Sequence, residues 1–263
     1  MGKIWVIVRK EWAEVFKNRV VLFTVAFLPL MLTALPLVIL GATRSSGDLS
    51  AVSTVDMPPG FTQLCRGLEG SECAQYFLVS EFLLLFMLMP LAIPVTIASY
   101  SIVGEKTTRT LEPLLATPVT TWELLAGKGL AAALPAILAT WAAFGVFAVG
   151  ARILAVGPHV VARLLDPLWL MAVLVIGPLL AVAAVSAAVM ISSRVSDPRV
   201  AEQLSMLVVL PLLGLFFGQI TGLVLINETV ILWMAMGLFV VDCGLVAFAT
   251  QLFQRESILT RWK

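Results

Sequence analysis

Six apolar stretches, each long enough to cross a lipid bilayer, constrain this chain more than any other feature of its sequence. An α-helix rises about 1.5 Å per residue, so a hydrocarbon core about 30 Å thick needs roughly 20 apolar residues. Of the 263 residues, 60% are apolar and only 13% are charged, whereas a soluble domain is about half apolar and about a quarter charged. The sequence therefore predicts an all-α membrane protein with spans near residues 20–40, 82–103, 129–150, 168–192, 204–226 and 230–253.

Most of the positive charge lies on one side of these spans. With six spans, 13 of the 17 Lys and Arg residues fall on the side of both termini, and the others are Arg44, Arg66, Arg152 and Arg163. Cytosolic loops of membrane proteins carry an excess of Lys and Arg. We therefore expect a multi-pass protein of the cell membrane, with both termini and residues 104–128 in the cytosol.

The loop at residues 104–128 is too polar to span a bilayer and too regular to be a slack linker. Leu111, Leu114 and Leu115 have the spacing of one helix face, with charged residues around them. Further along, Thr120 and Glu123 have the spacing of a capping box, in which each side chain bonds the backbone N–H of the other residue. The pattern predicts a short amphipathic helix followed by a newly capped helix.

This loop resembles the first cytosolic loop of ABC-2 type permeases, the membrane subunits of one class of ABC exporters. The matching residues are Glu105-Lys106, Thr110-Leu111-Glu112, Leu114-Leu115, Thr117-Pro118 and Gly127-Lys128. In that family the loop carries a coupling helix that docks on an ATP-hydrolysing subunit. The resemblance implies that the contact is made by Glu105, Arg109, Leu111, Glu112, Leu114 and Leu115. The alternative is an ordinary amphipathic loop of another polytopic protein.

The pattern of residues 1–19 predicts an amphipathic helix ahead of the first span. One side carries apolar residues at helical spacing and the other carries charge; the apolar set is Ile4, Trp5, Val8, Trp12, Val15 and Phe16. Trp on the apolar face and Lys on the polar face are typical of a helix lying in the headgroup region. The resemblance extends here, because ABC-2 permeases commonly begin with such an interfacial helix. A cytosolic helix packed on a partner is the alternative.

The loop at residues 41–80 is the only long segment predicted outside the cell. It contains Cys65 and Cys73, and a disulfide between them would close a small loop on the oxidising side of the membrane. Two unpaired thiols are the alternative. The third cysteine, Cys243, lies inside the last predicted span and is interpreted as a small apolar filler.

Three polar residues inside the predicted spans are candidates for a transport pathway. Asp242 is a formal charge deep in the sixth span, where an acid costs several kcal/mol unless it faces the bundle, a partner or water. The fifth span is interrupted by Pro211 and several glycines, and Gln219 and Thr221 lie near its outer end. Asp242 would contact substrate or a cation, or alternatively would bond a neighbouring helix.

No residues for ATP hydrolysis are present, because the sequence lacks the glycine-rich phosphate-binding loop that ends in Gly-Lys-Ser or Gly-Lys-Thr. A single His and three Cys also exclude the usual catalytic triads and Cys/His metal clusters. The near-neutral net charge of +1 gives no basic field for nucleic acid. We therefore expect no enzyme activity and no cofactor or metal in this chain.

The resemblance supplies the functional expectation. It implies one transmembrane permease domain over residues 1–263, paired with a second permease chain, identical or homologous. A separate ABC ATP-binding subunit would bind ATP and Mg²⁺ and supply the energy for export. A non-transporting membrane scaffold or assembly subunit with a permease-like fold is the alternative. The transported substrate cannot be read from these residues.

Overall fold

The structure is a computed structural model that describes residues 2–45, 68, 70–107, 119–221, 223, 224 and 226–252. Within those ranges all regular secondary structure is helical, and six helical segments are long and apolar enough to cross a membrane. The number of spans and the all-α fold predicted from sequence are thereby confirmed.

Eleven α-helices make up the described part of the chain. They are α1 (Gly2–Val15), α2 (Arg19–Ser45), α3 (Gly70–Phe86), α4 (Met89–Thr107), α5 (Thr121–Leu154), α6 (Pro158–Leu164), α7 (Pro167–Met171), α8 (Gly177–Ser192), α9 (Pro198–Ser205), α10 (Leu210–Ile220) and α11 (Glu228–Leu252). A π-helical segment, Ala172–Ile176, joins α7 to α8, and a 3-10 turn, Met206–Val209, joins α9 to α10.

The second and fourth spans form the centre of the bundle. In their most apolar windows 72% and 56% of the residues are buried, against 17%, 17% and 11% in the first, fifth and sixth spans. Helix α4 packs chiefly against α8 and α5, and α8 also packs against α11. Any force applied to α4 therefore acts on a helix that packs against several others in the described part of the chain.

Two helices continue into the loop predicted at residues 41–80. Helix α2 runs to Ser45, and α3 begins at Gly70. Buried Gln75 bonds across this region: its Nε2 donates to Thr43 Oγ1 at 2.8 Å and its Oε1 accepts from the backbone N–H of Val156 at 2.8 Å. These bonds hold together the end of α2, the start of α3 and the residues that follow α5.

The fifth span is broken close to where its sequence predicts. Pro211 lies in the first turn of α10, where its missing N–H removes no helical bond, and the preceding residues form the 3-10 turn. The start of α9 also follows the sequence: Asp197 caps it by accepting from the Arg199 N–H at 2.8 Å, with Pro198 as first helical residue.

The cysteines differ in their surroundings. Cys73 is buried and disulfide-bonded, but Cys65 lies outside the described residues, so its pairing with Cys73 stays a prediction. Cys243 is a free thiol exposed on the surface of α11. The interpretation of Cys243 as a filler of the packed interior is therefore wrong, because its position on α11 faces away from the core.

The orientation of the spans is a first testable prediction. A single cysteine introduced at Gly47 of a cysteine-free chain should react with a membrane-impermeant maleimide added to the outside of intact cells. A cysteine introduced at Arg199 should react only after the membrane is opened. Labelling in the opposite order would overturn the assignment of both termini to the cytosol.

Candidate functional site

The two dipeptides that flank the predicted coupling loop are brought together by the fold. Glu105-Lys106 lies in the last turn of α4, and Gly127-Lys128 lies in the second turn of α5. Residues 108–118 between these helices lie outside the described residues. The described structure therefore fixes both ends of the loop, and the side chains of those ends define the candidate site.

Four charged residues from three helices meet at this point. We call them the charge cluster: Lys10 and Glu11 of α1, Glu105 of α4 and Lys128 of α5. The Lys128 Nζ lies 2.9 Å from Glu11 Oε1 and 2.8 Å from Glu105 Oε2, so one ammonium lies between two carboxylates. The side chains of these three residues are only 2–5% exposed.

Hydrogen bonds complete the coordination of the buried charges. Lys128 Nζ donates to Ser101 Oγ at 2.7 Å, and Ser101 Oγ donates to Glu11 Oε2 at 2.5 Å. Buried ions are tolerated when they are paired and their remaining donors and acceptors are bonded. Ser101 therefore bridges the Lys128 ammonium and the Glu11 carboxylate.

Lys10 closes the cluster on its solvent side. Its ammonium pairs with Glu105 and also lies 3.5 Å from Glu14, one helical turn further along α1. Burial lowers the pKa of Lys10, but the hydrogen bond to Glu105 and the nearby carboxylates outweigh burial and raise that pKa above its ordinary value. The Lys10 ammonium is therefore held by carboxylates at neutral pH.

Glu11 remains ionised for a similar reason. Burial raises the pKa of the Glu11 carboxyl, but the charge of Lys128 and the hydrogen bonds from Ser101 and Lys128 outweigh it, and the net pKa lies below the ordinary 4.5. The ionised Glu11 carboxylate thus pairs with the Lys128 Nζ at 2.9 Å.

Close packing of α1 against α5 makes these contacts possible. A Cβ on Gly127 would lie 2.8 Å from the Ile7 side chain, so the approach requires glycine at this position. Val8 is fully buried, and the Trp12 indole N–H donates to the Ala131 carbonyl at 2.9 Å. Gly127 thus allows α1 to pack closely against α5, and Lys128 binds the Glu11 carboxylate of α1.

Lys106 connects the same region to the second predicted cytosolic loop. Its Nζ donates to the carbonyls of Ser193 and Val195, at 2.9 and 3.1 Å. These carbonyls follow the last residue of α8, where the helix dipole also favours a cation. The end of α4 is therefore bonded to α1 and α5 through Glu105 and to the end of α8 through Lys106.

The predicted capping box is confirmed at the start of α5. The Thr120 Oγ1 accepts from the Glu123 N–H at 3.2 Å, and Glu123 Oε2 accepts from the Thr120 N–H at 2.8 Å. The helix consequently begins at Thr121, eight residues before the predicted span, and the extra two turns carry Gly127 and Lys128.

The predicted coupling residues divide into two groups. Glu105 was expected on an exposed polar rim, but the structure places it inside the chain, because Lys10 and Lys128 hold its carboxylate. The Glu105 carboxylate therefore faces Lys10 and Lys128 inside the chain and does not form part of an exposed rim. The others lie outside the described residues, so their role stays a prediction: Arg109, Leu111, Glu112, Leu114 and Leu115.

The candidate pathway residues do not form one site. Gln219 is buried on α10 and faces Glu81 of α3, whereas Thr221 is exposed and its hydroxyl bonds the Phe217 and Gly218 carbonyls of its own helix. Asp242 is buried on α11, where it lines a groove with residues of α5 and α8. Sequence reasoning placed these three residues in the spans but gave no contacts between them.

A comparison with protein-family models gives one match that spans most of the chain. Residues 5–250 match the model described as ABC-2 family transporter protein. The chain belongs to this family. It is therefore a membrane permease component of an ABC transporter, as its resemblance in the first cytosolic loop implies. A search among curated proteins gave no match, so the assignment rests on the family model.

The part of the site that sequence reasoning missed is the pairing of α1 with the loop ends. Lys10 was assigned to the outer polar face of α1, and Glu11 and Lys128 were not assigned any partner. One pattern could have indicated Glu11: it follows Val8 by three residues and precedes Val15 by four, which places it on the buried face. A carboxylate on that face requires a cation from another helix.

Proposed function

We propose that this ABC-2 family chain is the permease subunit of an ATP-driven exporter and receives mechanical force through residues 108–118. The observation that supports the proposal most directly is the charge cluster, which holds both ends of that segment against α1. A separate ATP-binding subunit, carrying ATP and Mg²⁺, would dock on the segment from the cytosol.

The cluster suits the transfer of force for a physical reason. Contacts between buried ions of opposite charge cannot lengthen without exposing an uncompensated charge, so the ends of α4 and α5 should move together with α1. Helix α4 lies at the centre of the bundle and is bonded to α9 as well, where Thr96 Oγ1 donates to Glu202 Oε1 at 2.7 Å. Displacement of the loop would therefore reach the fourth and fifth spans.

The proposal includes a second permease chain, identical or homologous. The first and fifth spans bury only 17% of their most apolar windows within one chain, so most of their apolar surface is left for lipid or for a second permease. A pathway between two chains would be bordered by such spans. The position of α1 in the headgroup region belongs to the same proposal, with Trp5 57% exposed on the face away from the bundle.

Co-purification with ATPase assays tests the function. The chain, tagged and extracted in mild detergent, should retain an ATP-binding subunit, and reconstituted complexes should hydrolyse ATP faster when a transported substrate is present. Crosslinks should join residues 108–118 to the ATP-binding subunit. A complex that forms but neither transports nor responds to substrate would favour the scaffold function instead. Failure to retain any ATP-binding subunit would contradict the exporter function and leave the scaffold or assembly function.

A further inference from the structure

A groove lies between three helices at the predicted cytosolic half of the bundle. One face of α11 forms its longest wall, with residues repeating at helical spacing, and α8 forms the opposite wall through Leu179 and Val182. Trp122, in the first turn of α5, lies at the end nearest the predicted cytosol. The groove has a volume of about 720 Å³, within the range of sites for drug-sized molecules.

Asp242 is the charged residue among the groove's lining side chains. It is only 5% exposed, and neither of its carboxylate oxygens has a hydrogen-bond partner among the described residues. The other lining residues are apolar apart from Trp122, Cys243 and Thr250. Thr250 is eight residues further along α11, about 12 Å away along the helix axis, so its hydroxyl cannot bond the Asp242 carboxylate. A buried acid in these surroundings is left without a partner among the described residues.

The residues that line the groove favour an organic cation over a metal ion. A metal ion such as Ca²⁺ takes six to eight oxygen ligands, and Mg²⁺ takes about six, whereas this groove offers one carboxylate. An organic cation needs only one opposite charge, and its apolar body is stabilised by contact with apolar and aromatic walls. Phe239, one turn before Asp242, and Trp122 supply aromatic rings at the two ends of the groove.

We propose that this groove binds a lipophilic organic cation, with the positive charge next to Asp242 and the apolar body along α8 and α11. The molecule would enter sideways from the surrounding lipid, because the lining residues Phe239, Cys243 and Ala247 are exposed. As the substrate class of an exporter, this inference rests on the proposed function; as a binding site, it is a property of the chain alone.

Two ions of the same shape and opposite charge provide the test. Tetraphenylphosphonium carries a positive charge and tetraphenylborate a negative one, with the same four phenyl groups. Equilibrium binding to the purified chain in lipid nanodiscs should be saturable for the phosphonium only. Asp242→Asn removes the charge with little change in size and should weaken phosphonium binding about tenfold to a hundredfold, because one charge contact to a buried carboxylate is lost. Asp242→Glu keeps the negative charge and should retain most of the phosphonium binding.

Glu81→Gln is the matched control. Glu81 is another buried span carboxylate, 6% exposed, but it lies on α3 and does not line the groove, so phosphonium binding should be unchanged. Equal binding of the phosphonium by the native chain and by folded Asp242→Asn would overturn the proposal, as would equal saturable binding of tetraphenylborate. A chain that binds the phosphonium but retains no ATP-binding subunit would keep this site while removing the exporter function.

Discussion

Replacing both Leu114 and Leu115 with alanine is expected to uncouple the permease from its ATP-binding subunit while leaving insertion into the membrane unchanged. The spacing of these residues with Leu111 places three leucines on one face of a helix that an apolar groove on a soluble partner would accommodate. Truncating an anchor of this kind costs about 1–3 kcal/mol. Losing two should weaken the contact at least about thirtyfold.

The measurement is substrate-stimulated ATP hydrolysis by the reconstituted complex, together with the amount of ATP-binding subunit retained on purification. The double variant should lose the stimulation or the subunit. The matched control is Leu138→Ala with Leu232→Ala, which makes the same chemical change at two positions that are 56% and 51% exposed within the spans. If the double variant at Leu114 and Leu115 bound its subunit and transported normally, the second cytosolic loop at residues 193–203 would become the candidate contact.

Replacing Lys128 with methionine is expected to lower the free energy of unfolding by about 3–5 kcal/mol, because breaking a buried ion pair leaves an uncompensated charge. In this chain two carboxylates, Glu11 and Glu105, would lose the ammonium that lies within 2.9 Å of each. Lys10 alone would remain to balance them from the rim. Unfolding in mixed micelles, followed by the loss of helical circular dichroism, measures the change.

Two comparisons make this second prediction specific. Lys3→Met removes an ammonium that is 57% exposed and lies 3.9 Å from Glu123, so it should leave the unfolding free energy nearly unchanged. The double variant Glu11→Gln with Lys128→Met removes one charge of each sign and should be more stable than the sum of the two single variants predicts. Strict additivity would show that the two residues do not interact.

The contributions of Glu11 and Lys10 to stability should vary with pH only at the extremes. The pKa of Glu11 is lowered in the folded chain, so its contribution is complete above 4.5 and is lost as pH falls through the lower, folded pKa. The pKa of Lys10 is raised, so its contribution is complete below 10.5 and is lost as pH rises through the folded pKa. These two contributions should therefore be constant between those values.

The buried position of Glu105 also changes the effect expected from replacing it. At an exposed rim, Glu105→Lys would weaken the contact with a partner in a salt-dependent way. In the structure it would place a third ammonium beside Lys10 and Lys128 in a buried site. The variant should therefore affect folding before it affects coupling, and charge changes at the rim are better made at Arg109 or Glu112.

Features that depend on neighbouring residues along the chain could be predicted from the sequence alone. The six spans follow from the length and hydropathy of each stretch, and the starts of α5 and α9 follow from the Thr120–Glu123 capping box and from Asp197-Pro198. Each of these rests on bonds or burial within a few residues, so no knowledge of the rest of the fold was needed. The family resemblance likewise came from one continuous stretch.

Which charges meet, in contrast, depends on how the helices pack. Glu11, Glu105 and Lys128 are far apart in sequence. No local pattern specifies that the Lys128 ammonium pairs with both carboxylates. Their pairing requires α1 to approach α5 at Gly127, which the bundle's packing sets. The groove at Asp242 has the same origin: the acid's place in a span is local, but its apolar walls come from α5 and α8. Burial and charge pairing depend on which helices are neighbours, and only the folded chain determines that.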